Sequence, residues 1–137
     1  MFLLDTVVLS EPTKDRSEPR VIEWLLGQRD EDLFVSVLAI GEIDRGIIRM
    51  PASRRREGLE LWAAELPSRF EGRLLQVTLP ITRAWAQLTA GQTAGDRQAL
   101  RIDALLAATA QVHGLTLVTR NASDFDGLGV PLHNPWD

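Results

Sequence analysis

Short apolar runs alternate along the chain with longer segments whose apolar residues recur at helical spacing. The runs at residues 1–4, 33–37, 74–79, 115–118 and 130–132 have the length and composition of buried strands. Helices are predicted at residues 21–28, 39–50 and 101–113, and two more are predicted to begin at Ser53 and at Pro80. Strands that alternate with helices predict an α/β domain with a largely parallel sheet.

The helix predicted at residues 39–50 has the clearest periodicity. Its apolar side chains follow at positions i, i+3, i+7 and i+10: Ile40, Ile43, Ile47 and Met50. Pro51 ends this helix, and the hydroxyl of Ser53 can cap the next one. The apolar side of that next helix is predicted to consist of Leu59, Leu61, Trp62 and Leu66.

Composition narrows the class of protein. A chain of 137 residues is expected to form one domain, residues 1–137, with a substantial core. It contains no cysteine, which excludes disulfides and thiolate chemistry and is typical of a cytoplasmic protein. Its apolar runs are too short to cross a membrane. The net charge of −4 argues against tight, nonspecific binding to duplex nucleic acid, but not against a nuclease whose carboxylates hold a metal ion.

Four carboxylates stand beside apolar segments. Asp5 and Asp124 follow predicted strands, Glu42 lies within an apolar helix, and Asp103 begins an alanine-rich one. A carboxylate in such a position is costly unless its charge is compensated, and Lys14 is the only lysine of the chain. Because oxygen ligands suit Mg²⁺ and Mn²⁺, the pattern favours a divalent metal site and phosphoryl chemistry at the carboxyl ends of the strands.

Each acidic residue also has a structural interpretation. Asp5 can cap a helix that begins at the next residue. Glu42 can face solvent and pair with Arg45 or Arg49. Asp103 can interact favourably with the dipole at the start of its helix. These alternatives remain open on the sequence alone.

Four short motifs, in this order and spacing, resemble the PIN domain of VapC-type toxin ribonucleases from bacterial toxin–antitoxin pairs. They are Leu3-Leu4-Asp5-Thr6 followed by Ser10-Glu11, then residues 36–43 with Arg45-Gly46, then residues 103–110, and finally residues 117–121. The ending Asn134-Pro135-Trp136 is similar to that of the FitB-like branch of the family. The resemblance covers essentially the whole chain.

The resemblance implies a Rossmann-like α/β/α sandwich and endonucleolytic cleavage of RNA that depends on Mg²⁺, with Mn²⁺ as a substitute. It also implies a homodimer and a cognate VapB-like antitoxin that blocks the site. By position, Asp5, Glu42 and Asp103 match the first three acids of the family. We expect Asp5 and Asp103 to bind the metal directly, and Glu42 and Asp124 to bind it directly or through water.

The sequence departs from the family pattern at two places. Val7 stands where the usual pattern has asparagine. Asn121 stands where many members have the fourth aspartate, which leaves Asp124 as the nearest acid. Thr6, Thr119 and Asn121 are candidates for contacts that orient the metal ligands or the RNA phosphate.

Two other functions are compatible with these residues. One is a catalytically weak or inactive PIN domain that only binds a partner. The other is a Mg²⁺-dependent phosphatase of the haloacid-dehalogenase type, which also places an aspartate after its first strand. That chemistry requires a second aspartate two residues later, and Val7 occupies that position.

Overall fold

A parallel five-stranded sheet forms the centre of the computed structural model, which describes residues 1–91 and 102–137. Its strands are β1 (Phe2–Leu4), β2 (Leu33–Ser36), β3 (Leu74–Leu75), β4 (Thr116–Val118) and β5 (Leu132–His133). Each adjacent pair is parallel, in the order β3-β2-β1-β4-β5. The predicted α/β class with a mainly parallel sheet is confirmed.

Six α-helices connect and cover these strands within the described part of the chain. They are α1 (Thr6–Ser10), α2 (Pro19–Leu26), α3 (Val37–Ile48), α4 (Arg54–Arg69), α5 (Leu79–Thr89) and α6 (Ile102–His113). Short 3-10 turns stand at Glu11–Thr13, Asp30–Asp32 and Ala122–Phe125. None of the helices in residues 1–91 and 102–137 is both long and apolar enough to cross a membrane.

Successive strand residues point to opposite faces of the sheet, and this alternation creates two apolar layers. Leu4 of β1 packs into a core shared with α1, α2, α3 and α4, whereas Leu3 packs against α6 and the 3-10 turn Ala122–Phe125. Leu3 and Leu4 are 0% and 2% exposed, so both faces of the central strand are fully covered. The result is the α/β/α sandwich that the resemblance implied.

The order of the strands places a topological switch point beside β1. From β1 the chain moves outward through β2 to β3, then returns to the other side of β1 with β4 and continues outward to β5. At such a point the connections that follow the two central strands diverge and leave a crevice at their carboxyl ends. Asp5 follows β1, and Thr119 follows β4.

Some element boundaries differ from the prediction. Helix α3 begins at Val37 rather than at residue 39, because the hydroxyl of Ser36 accepts a 3.1 Å hydrogen bond from the N–H of Leu38 and caps the helix. Strand β3 has two residues instead of the six predicted, and Leu79 beyond it is exposed. Residue 101, the predicted start of the last helix, lies outside the described residues.

Helix α4 confirms one sequence expectation and corrects another. Ser53 caps it as predicted, since its hydroxyl accepts a hydrogen bond from the N–H of Arg56. Leu66 is buried and Trp62 packs against the core. Leu61 was expected on the apolar side but is 71% exposed. Because it adjoins Trp62 in sequence, its side chain leaves the helix about 100° away from the buried stripe.

Candidate active site at the carboxyl ends of the central strands

Asp5 lies at the centre of the candidate site. It follows β1 directly and is only 6% exposed. Its Oδ1 accepts a 2.7 Å hydrogen bond from the backbone N–H of Thr6, and its Oδ2 accepts a 2.7 Å hydrogen bond from the hydroxyl of Thr119. Its own N–H donates to the carbonyl of Val118. The carboxylate is therefore fixed between β1 and β4, at the switch point.

Thr6 connects Asp5 with Glu42. While its backbone N–H donates to Asp5, its hydroxyl donates a 2.7 Å hydrogen bond to Oε1 of Glu42. Glu42 lies on α3, which follows β2, the strand on the other side of β1 from β4. One residue thus orients two carboxylates, that of its neighbour Asp5 and that of Glu42, which lies 36 positions further along the chain.

The loop after β4 carries the remaining predicted polar residues. The hydroxyl of the fully buried Thr119 accepts a 3.1 Å hydrogen bond from the N–H of Asn121. The carbonyl of Asn121 in turn accepts a 3.0 Å hydrogen bond from the N–H of Asp124, at the start of a 3-10 turn. This 3-10 turn follows β4 closely, and the Asp124 carboxylate lies near enough to Asp5 to act on it electrostatically.

The pKa values of Asp5 and Glu42 are both raised in this arrangement. Burial raises the pKa of Asp5, and the nearby Asp124 carboxylate raises it further, although hydrogen bonds from Thr119 and Thr6 act in the opposite direction. Burial also raises the pKa of Glu42; the hydrogen bond from Thr6 opposes this effect, Asp5 adds to it, and Arg45 opposes it. Asp124 thus lies close enough to act on Asp5, and Asp5 lies close enough to act on Glu42.

Asp103 lies in the first turn of α6 as described and is partly exposed. Helix α6 packs against the 3-10 turn that contains Asp124. The buried α6 residues that share a core with Phe125 of this turn are Leu106, Ala107 and Ala110, further along the helix than Asp103. The hydrogen-bond chain from Glu42 through Thr6, Asp5 and Thr119 is formed without it.

The residues present suit a hard divalent cation. All candidate ligands are carboxylate oxygens, which Mg²⁺ and Mn²⁺ prefer, and burial, with a smaller contribution from a neighbouring carboxylate, raises the pKa values of Asp5 and Glu42. Within residues 1–91 and 102–137, no three acidic or histidine side chains stand close enough together to coordinate one ion as they are placed. The donor atoms are therefore of the kind that suits a divalent cation, although the described side chains do not form a complete coordination shell as they are placed.

Of the structural roles considered for the acids, the helix cap by Asp5 is observed and, in the described part of the chain, the ion pair of Glu42 with an arginine is not. Asp5 does cap α1, because its side chain accepts from the N–H of Thr6, and it does so while lying at the switch point. Glu42 does not pair with either arginine: among the described residues, no salt bridge joins it to Arg45 or Arg49, and Thr6 is its hydrogen-bond partner. Val7 packs against the apolar core and supplies no polar contact to the site.

One buried acid was overlooked in the sequence. Glu11 falls in a segment that reads as a polar connector, yet it is only 3% exposed. Its Oε1 accepts a 2.9 Å hydrogen bond from the N–H of Glu18, and its Oε2 lies 2.9 Å from Nζ of Lys14. Burial acts to raise the pKa of Glu11, but the contacts with Glu18 and Lys14, helped by Arg120, hold it below its ordinary value. The only sign of this in the sequence was that Lys14 follows Glu11 by three residues, a spacing that allows an ion pair.

The comparison with family models decides the classification. The PIN-domain model matches residues 2–129, which is most of the chain. The chain belongs to the PIN-domain family. The resemblance to VapC-type toxins of the FitB-like branch is confirmed by two curated relatives that match this PIN domain over nearly their full length.

The first relative is the VapC ribonuclease Y4jK of Sinorhizobium fredii, 34% identical over 139 residues, with 100% of this chain and 99% of the relative covered. The second is the toxin FitB of Neisseria gonorrhoeae, 32% identical over 138 residues, with 99% of each covered. The crystal structure of FitAcB from Neisseria gonorrhoeae superposes on this PIN domain with a TM-score of 0.86, at 31% identity and 99% coverage of both chains.

Proposed function

We propose that this PIN domain is the toxin of a type II toxin–antitoxin system and cleaves RNA endonucleolytically with Mg²⁺, or Mn²⁺ in its place. The observation that carries the proposal is the chain of hydrogen bonds that links Glu42, Thr6, Asp5 and Thr119 at the switch point. It fixes two carboxylates of raised pKa with no lysine beside them, which is the electrostatic situation that a divalent cation resolves. One similar protein is named a ribonuclease and another a toxin.

In this proposal Asp5 and Asp103 hold the metal directly, and Glu42 and Asp124 hold it directly or through water. When bound, a divalent cation polarises a phosphoryl oxygen and lowers the pKa of the attacking water. Thr119 and Thr6 keep the carboxylate of Asp5 in one orientation. Glu42 orients the attacking water, and its raised pKa suits it to accept that water's proton. Asn121 contacts water or the RNA phosphate.

We further propose a homodimer that acts in the cytoplasm and is inhibited by a cognate VapB-like antitoxin. Several large apolar side chains are exposed, among them Leu26, Ile48 and Leu61. A groove of about 450 Å³ between α3 and α4 has Ile47 and Ala63 in its walls. Apolar surfaces of this kind are typical of sites that pack against another protein. Light scattering at micromolar concentration tests the dimer, and a strictly monomeric chain contradicts it.

The activity is tested by incubating total RNA with the purified chain, with Mg²⁺ or with EDTA, and mapping the new RNA ends. We expect defined cleavage sites that appear with Mg²⁺ and are absent with EDTA or in Asp5→Asn. If no RNA is cleaved but an antitoxin is bound, the chain is a partner-binding module without catalysis. Turnover of a chromogenic phosphate ester without RNA cleavage would support the phosphatase alternative.

A further inference from the structure

We propose that Arg45 and Arg49, on the face of α3 that carries Glu42, bind the phosphates of the RNA strand next to the cleaved bond. The inference deepens the proposed function and rests on it. Glu42 and Arg45 lie on α3, and Arg49 is the residue that caps its carboxyl end. The three are separated by three and four residues, so they form one stripe along α3 and its end. At about 1.5 Å per residue this stripe is about 10 Å long.

The two guanidinium groups are available to a ligand. Arg45 and Arg49 are exposed, and within the described part of the chain neither side chain forms an ion pair or a hydrogen bond. By contrast, Arg56 is paired with Glu60, and Arg73 donates to backbone carbonyls. Planar guanidinium groups match phosphate oxygens in geometry as well as in charge.

A groove connects these arginines with the site. Its volume is about 340 Å³, and Glu42, Arg45 and Arg49 all line it. Glu42 also lines a second cleft, of about 230 Å³, which contains Thr6, the residue that bridges to Asp5. Glu42 therefore stands between the arginine-lined groove and the buried carboxylate, where a strand passing through the site would be cut.

The floor of the groove is formed by glycine. Gly41 and Gly46 line it, and a Cβ atom at either position would meet no atom of residues 1–91 and 102–137 within 4 Å. Internal packing therefore does not require glycine there, although glycine is a poor helix former. The open floor lets a sugar–phosphate chain approach α3 closely. Since an RNA strand is repelled by the carboxylates of the site, the two arginines supply the attraction that brings it to Glu42.

The test measures binding of a fluorescent single-stranded oligoribonucleotide by anisotropy, at several salt concentrations, in the Asp5→Asn background to prevent cleavage. Each lost phosphate contact is expected to reduce the slope of log K against log salt by about 0.7. Arg45→Ala and Arg49→Ala should each do so and weaken binding about three- to tenfold. Arg54→Ala is the matched control, because Arg54 is exposed on α4 and does not line the groove.

Two further measurements separate this role from a structural one. In the otherwise unmodified chain, Arg49→Ala should raise KM for RNA with little change in kcat. Gly46→Gln should stabilise α3 against thermal unfolding but fill the groove, so that thermal stability and KM rise together. A purely structural role of the arginines at the end of α3 predicts lower thermal stability with an unchanged salt slope.

Other outcomes overturn the proposal in distinguishable ways. If the arginine variants retain the parent's slope and KM, the RNA strand lies elsewhere and the ribonuclease function stands. If they instead dissociate a dimer or release an antitoxin while the slope is unchanged, the groove is a protein interface. If the parent chain itself neither binds nor cleaves RNA, the proposed function fails, and this inference fails with it.

Discussion

The hydroxyl of Thr119 donates a 2.7 Å hydrogen bond to Oδ2 of Asp5, although the two residues are 114 positions apart in the sequence. The bond spans the two central strands at the point where the chain changes direction across the sheet. It places a neutral donor, and not a lysine or arginine, behind the most deeply buried acid of the site. The carboxylate is thereby oriented without being neutralised.

Removing this donor should weaken both the fold and the activity. Thr119→Val leaves Oδ2 of Asp5 and the N–H of Asn121 without their partner. We expect a loss of about 1–3 kcal/mol in the free energy of unfolding and a loss of about 10–100-fold in RNA cleavage. Thr119→Ser, which keeps the hydroxyl, should retain most of both. Urea unfolding and initial cleavage rates provide the measurements, and equal behaviour of the two variants would contradict the assigned role.

Two residues in the loop after β4, Asp124 and Asn121, are expected to have different roles. Asp124 adds a negative charge near Asp5, while Asn121 adds none and donates its N–H to Thr119. Asp124→Asn should therefore increase the Mg²⁺ concentration needed for half-maximal cleavage more than Asn121→Ala does. Cleavage rate against Mg²⁺ concentration for both variants is the measurement. If only Asn121→Ala shifts the requirement, Asp124 is a turn residue and not part of the metal site.

The raised pKa values of Asp5 and Glu42 predict how stability depends on pH without metal. A carboxyl whose pKa is higher in the folded state holds its proton more tightly there than in the unfolded chain. Its contribution to stability is therefore present below the unfolded pKa, about 4, and is lost as pH rises through the raised pKa. In EDTA, Glu42→Gln should reduce this loss as the pH rises above about 4.

Thermal unfolding across that range measures the effect. Glu71→Gln is the control, because Glu71 is exposed in a turn after α4. The contradicting result is that the unfolding temperatures of Glu42→Gln, the parent and the control follow the same dependence on pH. That result would show that ionisation of Glu42 does not reduce the stability of the folded state.

Glu11 should behave in the opposite way. Despite its burial, its pKa is held below the ordinary value by the contacts with Glu18 and Lys14. Its contribution is present above the unfolded pKa and is lost as pH falls through the folded pKa. Glu11→Ala leaves the N–H of Glu18 without its acceptor and should cost about 1–3 kcal/mol at neutral pH. Urea unfolding measures this cost, which should shrink on acidification; an unchanged midpoint would contradict it.

The apolar pattern predicted the fold class because strand residues that are buried on both faces leave a clear apolar signal. Leu3 and Leu4 illustrate this, since each enters a different core. The pattern could not fix the end of β3, where pairing with Val35 and Ser36 limits the strand to two residues. It also could not show that Glu11 is buried, because a local contact with Lys14 and a backbone N–H compensate its charge.

The sequence indicated which acids stand beside buried segments, but not the hydrogen bonds that connect Asp5, Glu42 and Thr119. Acids placed after strands indicated that Asp5 and Asp124 would lie on one side of the sheet, and the structure agrees. The sequence could not predict that Thr6 donates hydrogen bonds to both Asp5 and Glu42. The bond to Glu42 depends on how α3 packs against α1. The relation of Asp5 to Thr119 likewise requires β1 and β4 to be neighbours.

The proposed role of the buried Asp5 carboxylate is to hold a divalent cation. Thermal unfolding of the parent and of Asp5→Asn, each in EDTA and in saturating Mg²⁺, tests it most directly. The asparagine can still accept from Thr6, and its amide can donate to the hydroxyl of Thr119. In EDTA we predict that Asp5→Asn melts at the higher temperature, because desolvation and the charge of Asp124 no longer oppose folding.

In Mg²⁺ the order should reverse, because bound cation stabilises the parent by RT ln(1 + [Mg²⁺]/Kd), whereas the variant has lost a ligand. The contradicting result is a parent that melts above Asp5→Asn in EDTA, with both proteins shifted equally, or not at all, by Mg²⁺. That result would make Asp5 a helix cap that needs no metal.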